Sequence, residues 1–215
     1  MRTYISPIGY DTRRVTRPVI NTGLGKNDRI LLLRPSVEAD TERAEQAVAD
    51  VEQLLQEIEP EATCDIIRVS TDSFQKTVRD CCRVLTDIAT DREIIVSLGG
   101  GARDVLLPLT VTALVFARRI DRALFFSDLD SAVQEWPLPN LTAQIPERAV
   151  KTFEAIADAE TLVSLSDVAA VTGQSKSTVI RHVNDLEDAG VVESDTSEKA
   201  KHVQVSFTGE LFLMT

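Results

Sequence analysis

Cysteine is scarce in this chain of 215 residues: Cys64, Cys81 and Cys82 are the whole complement. Three thiols, two of them adjacent, give neither a paired disulfide framework nor the separated ligands of a zinc site. They are expected to be reduced and mostly buried. Histidine is scarcer still, with His182 and His202 alone and no cysteine close to either, so no metal and no cofactor is expected. Nor does any apolar run approach the roughly 18 residues of a membrane span, and the opening Met1-Arg2-Thr3-Tyr4-Ile5-Ser6-Pro7 lacks the long apolar stretch of a secretory signal. The expected location is therefore the cytoplasm, away from membranes. Also lacking are GxGxxG and a P-loop lysine followed by Ser or Thr, which weighs against nicotinamide and ATP enzymes. Lysine is sparse as well: Lys26, Lys76, Lys151, Lys176, Lys199 and Lys201 stand beside 17 arginines.

What the chain has in excess is acid, with a formal net charge of -11. Divided after Thr142, it carries 17 basic and 22 acidic residues before the cut and 6 basic and 12 acidic after it. Both halves are acidic. A salt-rich cytoplasm, where such a surface stays hydrated and fields are screened, fits this balance, and so does an ordinary solvated acidic face. Hydrophobic residues at 43% place the chain among folded proteins rather than disordered ones.

Through about residue 130, short aliphatic runs alternate with amphipathic segments, the pattern of βα units around a parallel sheet. Strands are expected at Thr3 to Ile8, Arg29 to Arg34, Asp65 to Ser70, Glu93 to Leu98 and Ala123 to Ser127. Ala44, Ala47, Val48, Val51, Leu54, Leu55 and Ile58 recur at helical spacing before Pro60. A further helix places Phe74, Val78, Cys81, Leu85 and Ile88 on one side. The segment from Val105 to Phe116 is apolar around most of its circumference, which suits burial, a dimer interface, or both. The rhythm breaks at Trp136-Pro137-Leu138-Pro139-Asn140. The reading is an α/β chain: a Rossmann-like parallel-sheet sensor domain over residues 1–142, then a small α+β winged helix-turn-helix over residues 143–215.

In the second part, a helix from Pro146 to Ala157 precedes one from Ser166 to Thr172, capped by Ser164 or Ser166 and closed by Gly173. After a short turn comes a helix over Ser177 to Ala189, capped by Ser175 or Ser177 and closed by Gly190. That is the spacing of a helix-turn-helix, whose second helix enters the major groove with its N-terminal residues nearest the bases. Lys176, Ser177, Thr178, Arg181 and His182 are expected on its outer surface, facing double-stranded DNA. Val191 to Glu193 and Val203 to Phe207 are expected to pair as the wing, with Lys199, Lys201 and His202 on the flanking backbone. Ser175-Lys176-Ser177-Thr178-Val179-Ile180-Arg181-His182-Val183 and Leu186-Glu187-Asp188-Ala189-Gly190-Val191-Val192 resemble winged-helix regulators of the MarR and arsenic-repressor kind.

Two loops follow strand ends where open α/β sheets bind ligands. They are Ser6-Pro7-Ile8-Gly9-Tyr10-Asp11 and Ser97-Leu98-Gly99-Gly100-Gly101-Ala102-Arg103-Asp104. Glycines before a helix let backbone N–H groups approach a phosphate, and Arg103 adds a fork of donors; tight packing explains the glycines as well. With the helix-turn-helix behind them, Ser6 to Asp11 and Gly99 to Arg103 resemble the CRISPR-associated Rossmann fold (CARF) domain of archaeal Csa-type CRISPR regulators. The resemblance implies a homodimer whose loops meet around a cyclic oligoadenylate, commonly the tetra-adenylate. It also implies a ligand site of Ser6, Gly9, Tyr10, Asp11, Gly99, Gly100, Gly101 and Arg103, with DNA affinity changing on binding. Two other readings stay open: slow cleavage of the cyclic ligand, with Arg103 on the phosphate and Ser6 or Ser97 assisting, and a regulator answering to an unrelated small molecule.

Overall fold

Runs such as Ile30-Leu31-Leu32-Leu33 and Ile94-Ile95-Val96 show no polar alternation, as a parallel sheet covered on both faces demands. The computed structural model describes residues 1–37, 40–127, 129–159, 161–195 and 201–215. It divides into Met1–Leu138 and Pro139–Thr215. In the first unit the order is β1 Arg2–Pro7, α1 Arg13–Thr22, β2 Arg29–Pro35, α2 Thr41–Ile58, β3 Thr63–Val69, α3 Phe74–Thr86, β4 Glu93–Ser97, α4 Arg103–Val115, β5 Arg122–Phe126 and β6 Val133–Glu135.

Among the described residues the strands form one sheet in the order β3-β2-β1-β4-β5-β6. The pairs from β3 through β5 are parallel, and β6 runs antiparallel to β5. Alternate side chains leave on opposite faces. Ile5, Leu31, Leu33 and Val96 pack with Cys81, Leu85 and Leu109 from α3 and α4. Tyr4, Ile30, Leu32 and Ile95 pack with Val15, Val19, Val48 and Val51 from α1 and α2. The Rossmann-like expectation is borne out, with one strand more than expected. Val133-Gln134-Glu135 is too short and polar to be read as a strand alone. It is held by the Arg122 guanidinium donating to Glu135 at 2.9 and 2.7 Å and by Phe125 stacked on Trp136. Ile58 and Phe74, expected on buried stripes, are exposed because they end α2 and begin α3. All three cysteines are free. Burial pushes the Cys64 and Cys81 thiols up to about 12.

The strand order reverses between β1 and β4, and the two loops leaving this switch point meet backbone to backbone. Gly101 has φ +84°, and a Cβ there would lie 2.5 Å from the Pro7 Cβ; one at Gly9 would lie 3.2 Å from the Gly101 Cα. Gly99 is pressed against Phe126 and Gly100 against Arg14, at 2.9 and 2.8 Å by the same measure. Pro18, inside α1, has no N–H for the carbonyl of Arg14 four residues back. That carbonyl instead accepts from Ser97 Oγ at 3.3 Å, while Arg14 Nη1 donates to the Gly99 carbonyl at 2.7 Å. A proline in one helix thus frees the group that ties it to the neighbouring loop.

In the second unit a 3₁₀ turn at Glu147–Ala149 leads into α5 Val150–Ala157. It is followed by β7 Val163–Ser164, α6 Leu165–Thr172, α7 Lys176–Ala189, β8 Val192–Asp195, β9 His202–Val205 and α8 Phe207–Leu213. The strands pair antiparallel in the order β7-β9-β8. Phe153, Ile156, Val168, Val179, Val183, Leu186 and Val203 share one core. Ser164 and Ser175 cap α6 and α7, accepting from Asp167 N and Thr178 N, and Gly173 and Gly190 close them in the left-handed region. The winged helix-turn-helix is therefore as read, apart from its end. Ser206 and Phe207 do not extend the wing strand. Ser206 caps α8 by accepting from Gly209 N, and Gly209 seats that helix where a Cβ would run into the Val191 carbonyl.

One surface assignment is overturned. His182, expected to face outward, is 5% exposed. It falls on the same helical stripe as Val179, Val183 and Leu186, at i, i+3, i+4 and i+7. The Thr152 hydroxyl of α5 donates to Gln174 Oε1 at 3.0 Å and lies 2.9 Å from His182 Nδ1. With that proton committed, Nδ1 carries the hydrogen and donates to Thr152. First helix, turn and recognition helix are thereby pinned together.

Two outcomes follow from this packing. Gly101→Ala adds a Cβ where there is no room and at a positive φ, and it is expected to destabilise the first unit by about 2 kcal/mol or more. Guanidinium denaturation followed by circular dichroism measures this. For His182, burial first and the Arg181 charge second lower the pKa from its ordinary 6.5. The unfolded chain takes up the proton first as pH falls, so the stabilisation is complete above pH 6.5 and is lost as pH drops through the lower folded value. Urea midpoints between about pH 7.5 and 5 should fall for the wild type, and His182→Gln should remove the part of that slope due to this residue.

Candidate functional site

At the carboxyl edge of the sheet, where ligands bind in this class of fold, lies a cleft of ≈ 420 Å³. Ile8, Gly9 and Tyr10 enter it from the loop after β1, and Arg34, Pro35 and Val37 from the end of β2. Ala44, Thr71, Gly101, Ala102 and Asp104 complete the lining. Of the residues singled out in the sequence, Gly9, Tyr10 and Gly101 line this cleft. The others stand apart from its walls.

Ser6 is 2% exposed and donates to the Pro7 carbonyl. Its side chain is buried and does not line the cleft. Asp11 acts as a local clamp, accepting from Arg13 Nε, Nη2 and backbone N at 2.9, 3.1 and 3.2 Å, with Arg14 Nε at 3.6 Å. Hydrogen bonding from Arg13 is the main cause that holds its carboxyl below the usual range. Gly99 and Gly100 are buried and serve the packing of this loop on β5 and α1.

Arg103, the first residue of α4, is exposed and makes no hydrogen bond or ion pair with a described residue. The helix start beside it is also open. Asp40 and Ser73 cap α2 and α3, and Asp11 accepts from Arg13 N at the start of α1, whereas Ala102 supplies no acceptor to α4. A helix N-terminus with unclaimed N–H groups, a partial positive charge and a cationic side chain favours an anion.

Two charged residues of the cleft, Arg34 and Asp104, were not marked as site residues by the sequence. Arg34 is 1% exposed, and a guanidinium buried that deeply is costly unless satisfied. Its signal was a charge closing an otherwise aliphatic strand. Asp104 sits in the first turn of α4, where a carboxylate suits the helix dipole. Tyr10, half in solvent, has the Arg43 guanidinium 4.4 Å above its ring, a favourable cation–π contact.

In the second unit, Lys176, Ser177 and Arg181 are exposed on α7 and Thr178 is half-buried. Ser175 Oγ lies 2.9 Å from Ser177 Oγ and 2.8 Å from Thr178 Oγ1. Two acids of the same helix are engaged by bases from outside it. Arg148 forms a two-pronged pair with Asp185, both bonds 2.9 Å, and holds that carboxyl below its usual range. Lys201 Nζ lies 2.7 Å from Glu187 Oε2, and Ser194 donates to Glu187. Lys201 therefore offsets Glu187 rather than standing free. Lys199 lies outside the described residues. Ile180 and Asn184, both exposed, share the outer face with Ser177 and Arg181 and were overlooked. Counting three, four and seven residues on from Ser177 would have found them.

No helix among the described residues is long and apolar enough to cross a membrane. No curated protein matches the chain. Among solved structures, Csm6 of Enterococcus italicus bound to cyclic hexa-2'-fluoro-hexa-dAMP aligns at 16% identity and a TM-score of 0.46, covering 61% of this chain and 35% of that one. Protein VC1899 from Vibrio cholerae aligns at 11% identity and a TM-score of 0.46, covering 98% of this chain and 63% of that one. The chain thus spans less than two thirds of either. A family model described as the IclR helix-turn-helix domain matches residues 146–196, which replaces the MarR and arsenic-repressor likeness and makes the second unit a DNA-binding domain. A second model, described as the Csa3 CRISPR-associated Rossmann-like domain, matches residues 2–135. With the greater part of its length inside that match, the chain belongs to the Csa3 family of CRISPR-associated Rossmann-like proteins, followed here by a helix-turn-helix of the IclR type.

Proposed function

We propose that this protein is a homodimeric transcriptional regulator of CRISPR-associated genes, that its first unit senses a cyclic oligoadenylate, with the tetra-adenylate the first candidate, and that binding changes its affinity for double-stranded DNA. The observation that carries the sensor reading is the open start of α4: an uncapped N-terminus at the switch point, headed by the exposed Arg103. A ligand made of phosphodiesters needs such donors. Tyr10 offers an aromatic face for a base, and Asp104 offers an acceptor for amino or hydroxyl donors.

The face that Arg103 heads supports the dimer. Turning along α4 from Arg103, the outer stripe passes through Leu107, Val111 and Leu114, with Val115 at its margin; Leu107 is 56% exposed. The opposite stripe, Val105, Leu109, Thr112 and Ala113, is buried on the sheet. A self-complementary apolar stripe suits a two-fold contact. Two such helices placed face to face would bring two Arg103 side chains to one ligand. A change in the spacing of the paired recognition helices would then alter the fit to operator half-sites.

The cleavage reading loses its assisting groups, since Ser6 and Ser97 are both buried and bonded to the Pro7 and Arg14 carbonyls. Calorimetric titration with cyclic tetra-adenylate should give saturable binding at one ligand per dimer, and Arg103→Ala should weaken it about tenfold or more. Absence of heat across the concentration range would sink the ligand assignment and leave the DNA-binding domain untouched. In sedimentation experiments the wild type should run as a dimer at micromolar concentration, and Leu107→Glu should shift it toward monomer. A wild type that stays monomeric would remove the two-fold reading.

A further inference from the structure

The recognition helix carries an outer line that phosphate binding does not explain. Its core stripe is Val179, His182, Val183 and Leu186, each 5% exposed or less. The opposite line runs through Ser177, Arg181 and Asn184, with Ile180 beside it. Ile180 is 41% exposed and lies outside the domain's hydrophobic cluster. A β-branched aliphatic residue left this exposed contributes less than a core residue by packing and is a middling helix former. Asn184, one turn further on, is exposed and makes no hydrogen bond with a described residue. Meanwhile Asp185 and Glu187 are occupied by Arg148 and Lys201. These two flanking acids are thus offset, while Asp188, one turn beyond Asn184, is exposed at the far end of the line.

We infer that Ile180 and Asn184 are sequence-reading residues, and that each half-site contains an adenine read by Asn184 and a nearby thymine whose 5-methyl group packs on Ile180. The chemistry is specific. An asparagine amide matches the N6 donor and N7 acceptor of adenine in the major groove, and the thymine methyl is the one apolar feature displayed there. Their separation of one helical turn places the two contacts on neighbouring base pairs. Arg181, on the side of Asn184 away from Ile180, matches guanine O6 and N7 or a phosphate. This inference rests on the DNA-binding role of the second unit, and not on any ligand of the first.

The test is selection of binding sites from a randomised duplex pool by the full-length wild type, Asn184→Ala and Ile180→Ala. Both substituted positions are on the surface, so circular dichroism melts of the variants should overlay the wild type. Wild-type sites should fix an adenine and a thymine in each half-site. Asn184→Ala should lose about tenfold preference at the adenine alone. Replacing the thymine by uracil, which deletes only the methyl, should weaken wild-type binding several-fold and leave Ile180→Ala unchanged. A defined site whose base preferences persist in both variants overturns the inference while leaving DNA binding intact. Loss of self-association in Ile180→Ala with no change in base preference overturns it too, by placing Ile180 at a protein contact. Retention of duplex with no sequence enriched overturns the inference as well, whereas failure to retain any duplex, even at low salt, removes the DNA-binding role on which it rests.

Discussion

The want of space between Pro7 and Gly101 governs the upper edge of the first unit. A side chain at Gly101 would collide with Pro7, so the loops after β1 and β4 lie against each other only because one of them has no Cβ to place. From that approach follow the seating of Gly99 on Phe126, the Arg14 latch on the Gly99 carbonyl, and the direction in which α4 leaves the sheet. The glycine run that resembles a phosphate cradle is first of all a packing device. Its consequence for binding is indirect: it brings an uncapped helix start and Arg103 to the switch point.

Charge in the second unit follows a similar logic of placement. The domain is acidic in sum, yet Asp185 and Glu187, which would oppose phosphate at the recognition helix, are held by Arg148 and Lys201. Such partly exposed pairs contribute modestly to stability. Their larger effect is on the field that DNA would meet, because they leave Lys176 and Arg181 as cations on the exposed part of the helix. Two of the basic residues one would count toward phosphate binding are therefore taken up in cancelling acid.

Much of this was legible in the residues. Apolar runs located all five parallel strands within two residues, and Ser175, Gly173 and Gly190 marked the helix-turn-helix where it stands. These features are local: a cap, a left-handed turn or a doubly buried strand is written in consecutive side chains. The short β6 and the terminal α8 were not legible, since one depends on pairing with β5 and the other on Gly209 meeting Val191. His182 was misplaced for a related reason. A histidine is equally at home in water or against a hydroxyl, and only the arrival of Thr152 from another helix decides the matter.

By itself, then, the sequence determined the class of each unit, the switch-point loops and the turn of the DNA-binding motif, because periodicity and caps act over one or two turns of chain. Only the tertiary structure decided which of the marked residues reach a surface. Ser6 and His182 turned inward, Lys201 was claimed by Glu187, and Arg34, Ile180 and Asn184 emerged as residues that the spacing had not marked. Exposure and partnership are properties of elements packed together, and contacts between residues far apart in the chain cannot be read from spacing along it.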